Sequence, residues 1–155
     1  MNVKFLNPFL DAAHEVVLQE TGCPLERGAL SLKQEPYWTD DVTVILSLVG
    51  QVQGTVFYSM QEITALALIQ KMLDEQITEM TGLVQSGIAE LANVITGRAG
   101  VKLAEAGYEA TISTPTYLGG KGTQISCLDI PRLVVPLAGS CGAITIHLAI
   151  RENVA

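Results

Sequence analysis

The sequence predicts an α/β two-layer fold, with three helices set against a largely antiparallel sheet. Three observations carry that reading. Apolar residues recur at helical spacing in three separate stretches. Around them lie β-prone runs joined by short glycine-bearing turns. The 155-residue chain is also 48% hydrophobic, with a mean hydropathy of +0.35, which is enough apolar side chain to bury a good core.

Phe5, Phe9, Ala12, Ala13, Val16 and Val17 share one face of the first helix, which Gly22, Cys23 and Pro24 end. Residues 30–35 read as a short strand, broken by Pro36, Tyr37 and Trp38. Residues 42–49 are β-rich, and 50–54 turn them into a partner strand at 55–58, a hairpin. Ser59 and Glu62 have the spacing of a capping box. The box opens a second helix that runs to about Leu73. A polar connection at 74–80 leads to the third helix, from about Thr81 to Ala106, stopped by Gly107. Strands follow at 108–113, 123–127, 133–138 and 143–150, the last two joined through a turn at 139–142. No linker or low-complexity stretch divides the chain, so residues 1–155 read as one domain.

The composition removes several function classes. A net charge of −7 opposes binding to nucleic acid or to an anionic membrane surface. No run approaches the roughly 20 apolar residues of a spanning helix, and the first ten residues lack a secretory pattern. Cys23, Cys127 and Cys141 form no C-x-x-C pair and fit reduced thiols in a cytoplasmic protein. His14 and His147 stand far apart with no metal-ligand spacing around them, so both read as structural and no metal site is expected. Residues 119–122, Gly-Gly-Lys-Gly, lack the spacing of a phosphate loop and read as a surface turn.

The third helix holds the most information. Ser86, Glu90, Asn93 and Gly97 follow one another at intervals of four, three and four, which places them on one side of a helix. The opposite side carries Val84, Ile88, Leu91, Ala92, Ile95, Ala99, Leu103 and Ala106, a wide stripe that packs on a core. Gly87 and Gly97 sit beside the polar set. A glycine inside a helix costs about 1 kcal/mol relative to alanine, so the pair suggests a face that a partner approaches closely. On the residues alone a solvated helix face is the simpler reading of Glu90 and Asn93.

The pattern Ser86-x-x-x-Glu90-x-x-Asn93, on a long helix with Pro115 downstream, resembles the signature of the CheC/CheX family of chemotaxis phosphatases, and that resemblance reverses the choice. Twenty-one residues separate Asn93 from Pro115, one fewer than the family spacing. The order of elements agrees over nearly the whole chain. CheC-type members carry the Glu/Asn pair twice. Here a single full copy is present, since the first helix offers Asp11 and Glu15 but has Leu18 where an asparagine would stand. The chain therefore looks CheX-like.

The resemblance implies a protein phosphatase that hydrolyses the aspartyl phosphate of a CheY-type response regulator in two-component signalling. Asn93 would orient the attacking water and Glu90 would pair with the regulator's lysine, with Ser86, Gly87 and Gly97 in support. No cofactor is expected in this chain; the divalent metal would belong to the phosphorylated receiver domain. Two other classes stand beside this one. A non-catalytic receiver-binding or flagellar-switch-like module would be expected to lack Glu or Asn at these positions. A small-ligand sensor would be expected to carry buried polar residues on its strands, which here are mostly apolar or Thr/Ser. The resemblance also implies a homodimer. The long, charge-poor run 143–150 would be an aggregation-prone edge unless another strand covers it, and residues 125–135 are a second candidate for pairing.

Overall fold

The computed structural model describes residues 3–154, so Met1 and Asn2 of the N-terminal segment, and Ala155, lie outside the described residues. The N-terminal apolar spacing becomes α1 (Leu6–Thr21), entered through a 3-10 turn at Val3–Phe5. Gly22 ends it at φ 74°, a left-handed cap that donates its N–H to the Leu18 carbonyl at 2.8 Å. The two later helices are α2 (Glu62–Leu73) and α3 (Gly82–Glu105).

The strands are β1 (Glu26–Arg27), β2 (Ser31–Lys33), β3 (Tyr37–Trp38), β4 (Val42–Gly50) and β5 (Val52–Met60). After the helices come β6 (Ala110–Ile112), β7 (Thr116–Gly119), β8 (Gln124–Ile125), β9 (Arg132–Gly139) and β10 (Gly142–Glu152). The main sheet runs β1-β9-β10-β5-β4-β6, with β2 also on β9 and β7 also on β4. Every pairing is antiparallel. The fold is thus α+β, with three α-helices among the described residues.

Three local readings change, and one left open is decided. The β4–β5 hairpin turns at Gln51, not across 50–54. Gly54 is inside β5 because β10 crosses so closely there that a Cβ would lie 2.1 Å from the Ala149 carbonyl oxygen. The capping box does not form. Ser59 belongs to β5 and hydrogen-bonds His147 Nε2 at 3.1 Å, while the α2 N-terminus is capped from a distance, Glu62 donating its N–H to Asp41 Oδ2 at 2.9 Å. Tyr37 and Trp38 do not merely break a strand. They pair with Ile125 and Gln124 as a separate two-stranded ribbon. The run 143–150, for which the sequence left a covering strand or a second subunit open, is covered by strands of its own chain. β10 pairs with β5 from Thr145 to Glu152 and with β9 from Gly142 to Leu148, and each outer strand of the sheet is flanked by short segments. Short edge segments of this kind deter strand addition.

The two faces of the sheet are covered differently. Val44, Leu46, Val56, Tyr58, Val135, Leu137, Ile146 and Leu148 point to the helices and form the main core with α1 and α3. On the other face Phe57, Ser59 and His147 are buried, with Tyr37 of the ribbon packed on Phe57 and His147. His147 stacks on Phe57 and accepts from Arg132 Nε at 3.1 Å. Burial, and then the Arg132 charge, push its pKa down to about 3. It is a neutral structural residue, as the sequence reads it.

Candidate functional site

Thr81 starts α3 by accepting the Val84 N–H at 3.5 Å, and the helix then runs 24 residues with its inner side against α1 and the sheet. Val84, Ile88, Leu91, Ala92, Ile95, Ala99 and Leu103 are buried as their spacing predicts. Ala106 is the exposed C-cap instead, because the helix has already left the core. The sequence reading omitted Thr96, which is fully buried. Its hydroxyl donates to the Ala92 carbonyl at 2.7 Å and accepts from the Tyr58 hydroxyl at 2.7 Å. Burial raises the Tyr58 phenol above its usual pKa, so it stays a donor. One hydroxyl pair thus ties the middle of α3 to β5.

The outer side is different. Ser86 and Glu90 are exposed and Asn93 and Gly97 are half-buried. Among the described residues, no hydrogen bond or ion pair engages the side chains of Ser86, Glu90 or Asn93. Gly97 leaves open space beside them, since a Cβ there would meet nothing within 4 Å. Gly87 serves another purpose than predicted. A Cβ on it would stand 2.7 Å from Ile69 Cδ1 of α2, so it lets two helices of this chain approach. Ser86 and Gly87 line a cleft of about 250 Å3 with Ile69, Met72, Leu73 and Leu83. Leu83, Val94 and Val101 are exposed apolar side chains along the same helix. Their positions lie off the buried stripe of α3.

Charges nearby are already used within the chain. Glu15 of α1 pairs with Lys102 at 2.9 Å and Arg98 at 3.6 Å, and Lys102, then Arg98, hold its carboxyl below the usual pKa. Glu15 is therefore a helix-to-helix tie, and Asp11 is simply exposed, so α1 carries no second signature. Residues 119–122 form a surface turn: Thr39 and Asp41 accept the N–H groups of Gly122 and Gly120, and Lys121 lies 3.8 Å from Asp41. Among the described residues no three His, Cys, Asp or Glu side chains are grouped to hold a metal ion.

The family model described as "Chemotaxis phosphatase CheX" matches residues 42–138, well over half of the chain and the whole of α3. The chain belongs to the CheX family. A CheX relative from Thermotoga maritima, described as a CheY-P phosphatase, is 22% identical over 131 residues, 84% of each chain. A CheC-like superfamily protein from Shewanella sp. PV-4 superposes with a TM-score of 0.89 at 30% identity, covering 98% of this chain and all of that one. The CheX of Borrelia burgdorferi, whose structure is a complex with CheY, BeF3 and Mg2+, superposes with a TM-score of 0.82 at 28% identity over 97% of this chain and all of that one. Glu90 and Asn93 on α3 lie within the matched region.

Proposed function

We infer that this protein hydrolyses the aspartyl phosphate of a CheY-type receiver domain. One observation carries the reading: within a CheX-family fold, Glu90 and Asn93 stand on the outer side of α3 without a side-chain partner among the described residues. An aspartyl phosphate is a reactive acyl phosphate. Its hydrolysis needs a water placed in line with the departing carboxylate and charge stabilisation of the transferring group. The receiver's divalent metal and lysine supply the stabilisation. The phosphatase adds a water-positioning group on a rigid support.

Asn93 fits that task. A carboxamide both donates and accepts hydrogen bonds and does not titrate, and the half-buried side chain is steadied by a helix bolted to the sheet through Thr96 and Tyr58. Glu90 would set the docking register through a charge-assisted bond to the receiver's lysine. Ser86, Gly97 and the exposed Leu83 and Val94 would border the contact; Gly87 acts behind it. No described helix is long and apolar enough to cross a membrane, and the reading places the protein in the cytoplasm with its receiver.

A two-fold homodimer is part of the proposal. With β10 inside the sheet, its support moves to Trp38 of the two-stranded ribbon and Leu128 of the loop after β8, both exposed. Pairing there leaves both α3 faces free. Sedimentation equilibrium checks it: a mass of 16.5 kDa at every concentration removes the dimer. The activity itself is tested by adding the purified chain to phosphorylated CheY-like proteins of the same genome and following phosphate loss. Acceleration is the expected result, and tight binding without acceleration would instead favour a receiver-binding module.

A further inference from the structure

Cys23 and Cys141 lie 118 residues apart in the chain, yet their Sγ atoms are 3.5 Å apart. Cys23 follows the glycine that ends α1, and Cys141 is the second residue of the two-residue turn between β9 and β10. The turn is pressed against the Cys23 segment, for a Cβ on Gly139 would stand 3.0 Å from both the Leu25 side chain and the Pro24 carbonyl oxygen. The first turn residue, Ser140, donates its hydroxyl to Cys23 Sγ at 3.1 Å.

The two thiols are unequal. The Ser140 hydroxyl, and then Thr21, hold the Cys23 thiol below its usual pKa, while burial and the neighbouring Cys23 raise that of Cys141. Cys23 is buried beside the turn, whose Ser140 is exposed and whose Cys141 is half-buried. Cys127 has no thiol beside it, and burial raises its pKa. Two thiols 3.5 Å apart, with the Ser140 hydroxyl donating to Cys23 Sγ, are placed to close a disulfide once one is oxidised.

We propose that Cys23 and Cys141 form a reversible dithiol site that hydroperoxides oxidise to an intramolecular disulfide. The Cys23 thiolate attacks the terminal peroxide oxygen. The O–O bond breaks, the remaining oxygen leaves and takes up a proton, and Cys23 becomes a sulfenic acid. Cys141 sulfur then attacks Cys23 sulfur. The S–O bond breaks, and the hydroxyl leaves as water with the Cys141 proton. The two thiols together lose two electrons and the peroxide gains them. Closing the sulfurs from 3.5 Å to a bond of about 2.05 Å needs only a small shift of an exposed turn. The bridge would staple the end of α1 to the β9–β10 turn.

The test is thiol counting on the native full chain after exposure to hydrogen peroxide, with unreduced peptide mapping. Of the three cysteines, one is expected to remain alkylatable, Cys127. A Cys23–Cys141 peptide pair lighter by two hydrogens should appear, and dithiothreitol should restore all the thiols. Ser140→Ala should slow bridge formation by about three- to tenfold, because the thiolate loses its donor, while Cys127→Ser leaves the rate unchanged. Three thiols still alkylatable, a sulfinic acid on Cys23 with Cys141 free, or bridges only between chains would each overturn the proposal.

Discussion

Asn93 and Thr96 are one turn apart on the same helix and have opposite surroundings. Thr96 faces the sheet, is fully buried, and has both its donor and its acceptor capacity used by Ala92 and Tyr58. Asn93 faces outward, half-buried, with no partner among the described residues for a group that can make several hydrogen bonds. A polar group inside a protein is retained when it is paired, because leaving it unpaired costs about 1–3 kcal/mol. A polar group left unpaired on a rigid, half-buried surface is instead available to a ligand. On the proposed reading, α3 is two devices in one element, an inner anchor and an outer reagent.

The largest effect should come from the outer side. Asn93→Ala is expected to lower stimulated dephosphorylation by about 100-fold or more, the scale of losing a positioning group. Its unfolding free energy should stay within about 0.5 kcal/mol of the parent, as for other surface changes. Equal losses of activity and stability would erase the distinction between the faces.

Thr96→Val inverts the pattern. It leaves the Tyr58 hydroxyl buried without its partner, and urea unfolding should show a loss of about 1–3 kcal/mol. The folded fraction should still dephosphorylate the receiver at close to the parental rate. Glu90→Ala should weaken capture of the phosphorylated receiver by about tenfold, the worth of one charge-assisted bond, and lower turnover with it. Glu90→Gln should fall between, since it keeps shape and loses charge. Affinity and rate measured side by side would remove Glu90 from the site if neither changes.

The smallest effect lies on the far side of the sheet. His147 has a folded pKa of about 3 against an ordinary 6.5. Between those values the unfolded chain holds a proton that the folded chain does not. The stability present above pH 6.5 is therefore lost as the pH falls towards 3. Over the first unit below 6.5 the loss should be about 1 kcal/mol. Urea midpoints measured across that interval should fall in the parent and stay nearly level in His147→Gln.

The sequence announced α3 well because its 24 residues hold a strict helical spacing, and the Glu90/Asn93 pair became legible once that spacing placed both on one side. Other features needed the third dimension. Gly87 looks like a partner-facing glycine until Ile69 of α2 is seen above it. Ser59 and Glu62 match a capping box, but the strand continues through Ser59 and Asp41, 21 residues away, supplies the cap. What covers the run 143–150 is open in one dimension, and in three it is flanked by β9 and β5. Two-residue strands such as β1 and β3 carry no periodicity to detect. The Cys23–Cys141 contact spans 118 residues and leaves no mark in local spacing.

The most direct measurement is single-turnover phosphate loss from a phosphorylated CheY-type receiver at saturating concentrations of the parent, Asn93→Ala and Thr96→Val chains, each checked for folding in the same buffer. Saturation removes docking from the comparison. The expected result is near-parental loss with Thr96→Val and only the receiver's spontaneous rate with Asn93→Ala. Parental loss with a folded, receiver-bound Asn93→Ala chain would contradict the assignment of the outer face of α3 as the site of water placement.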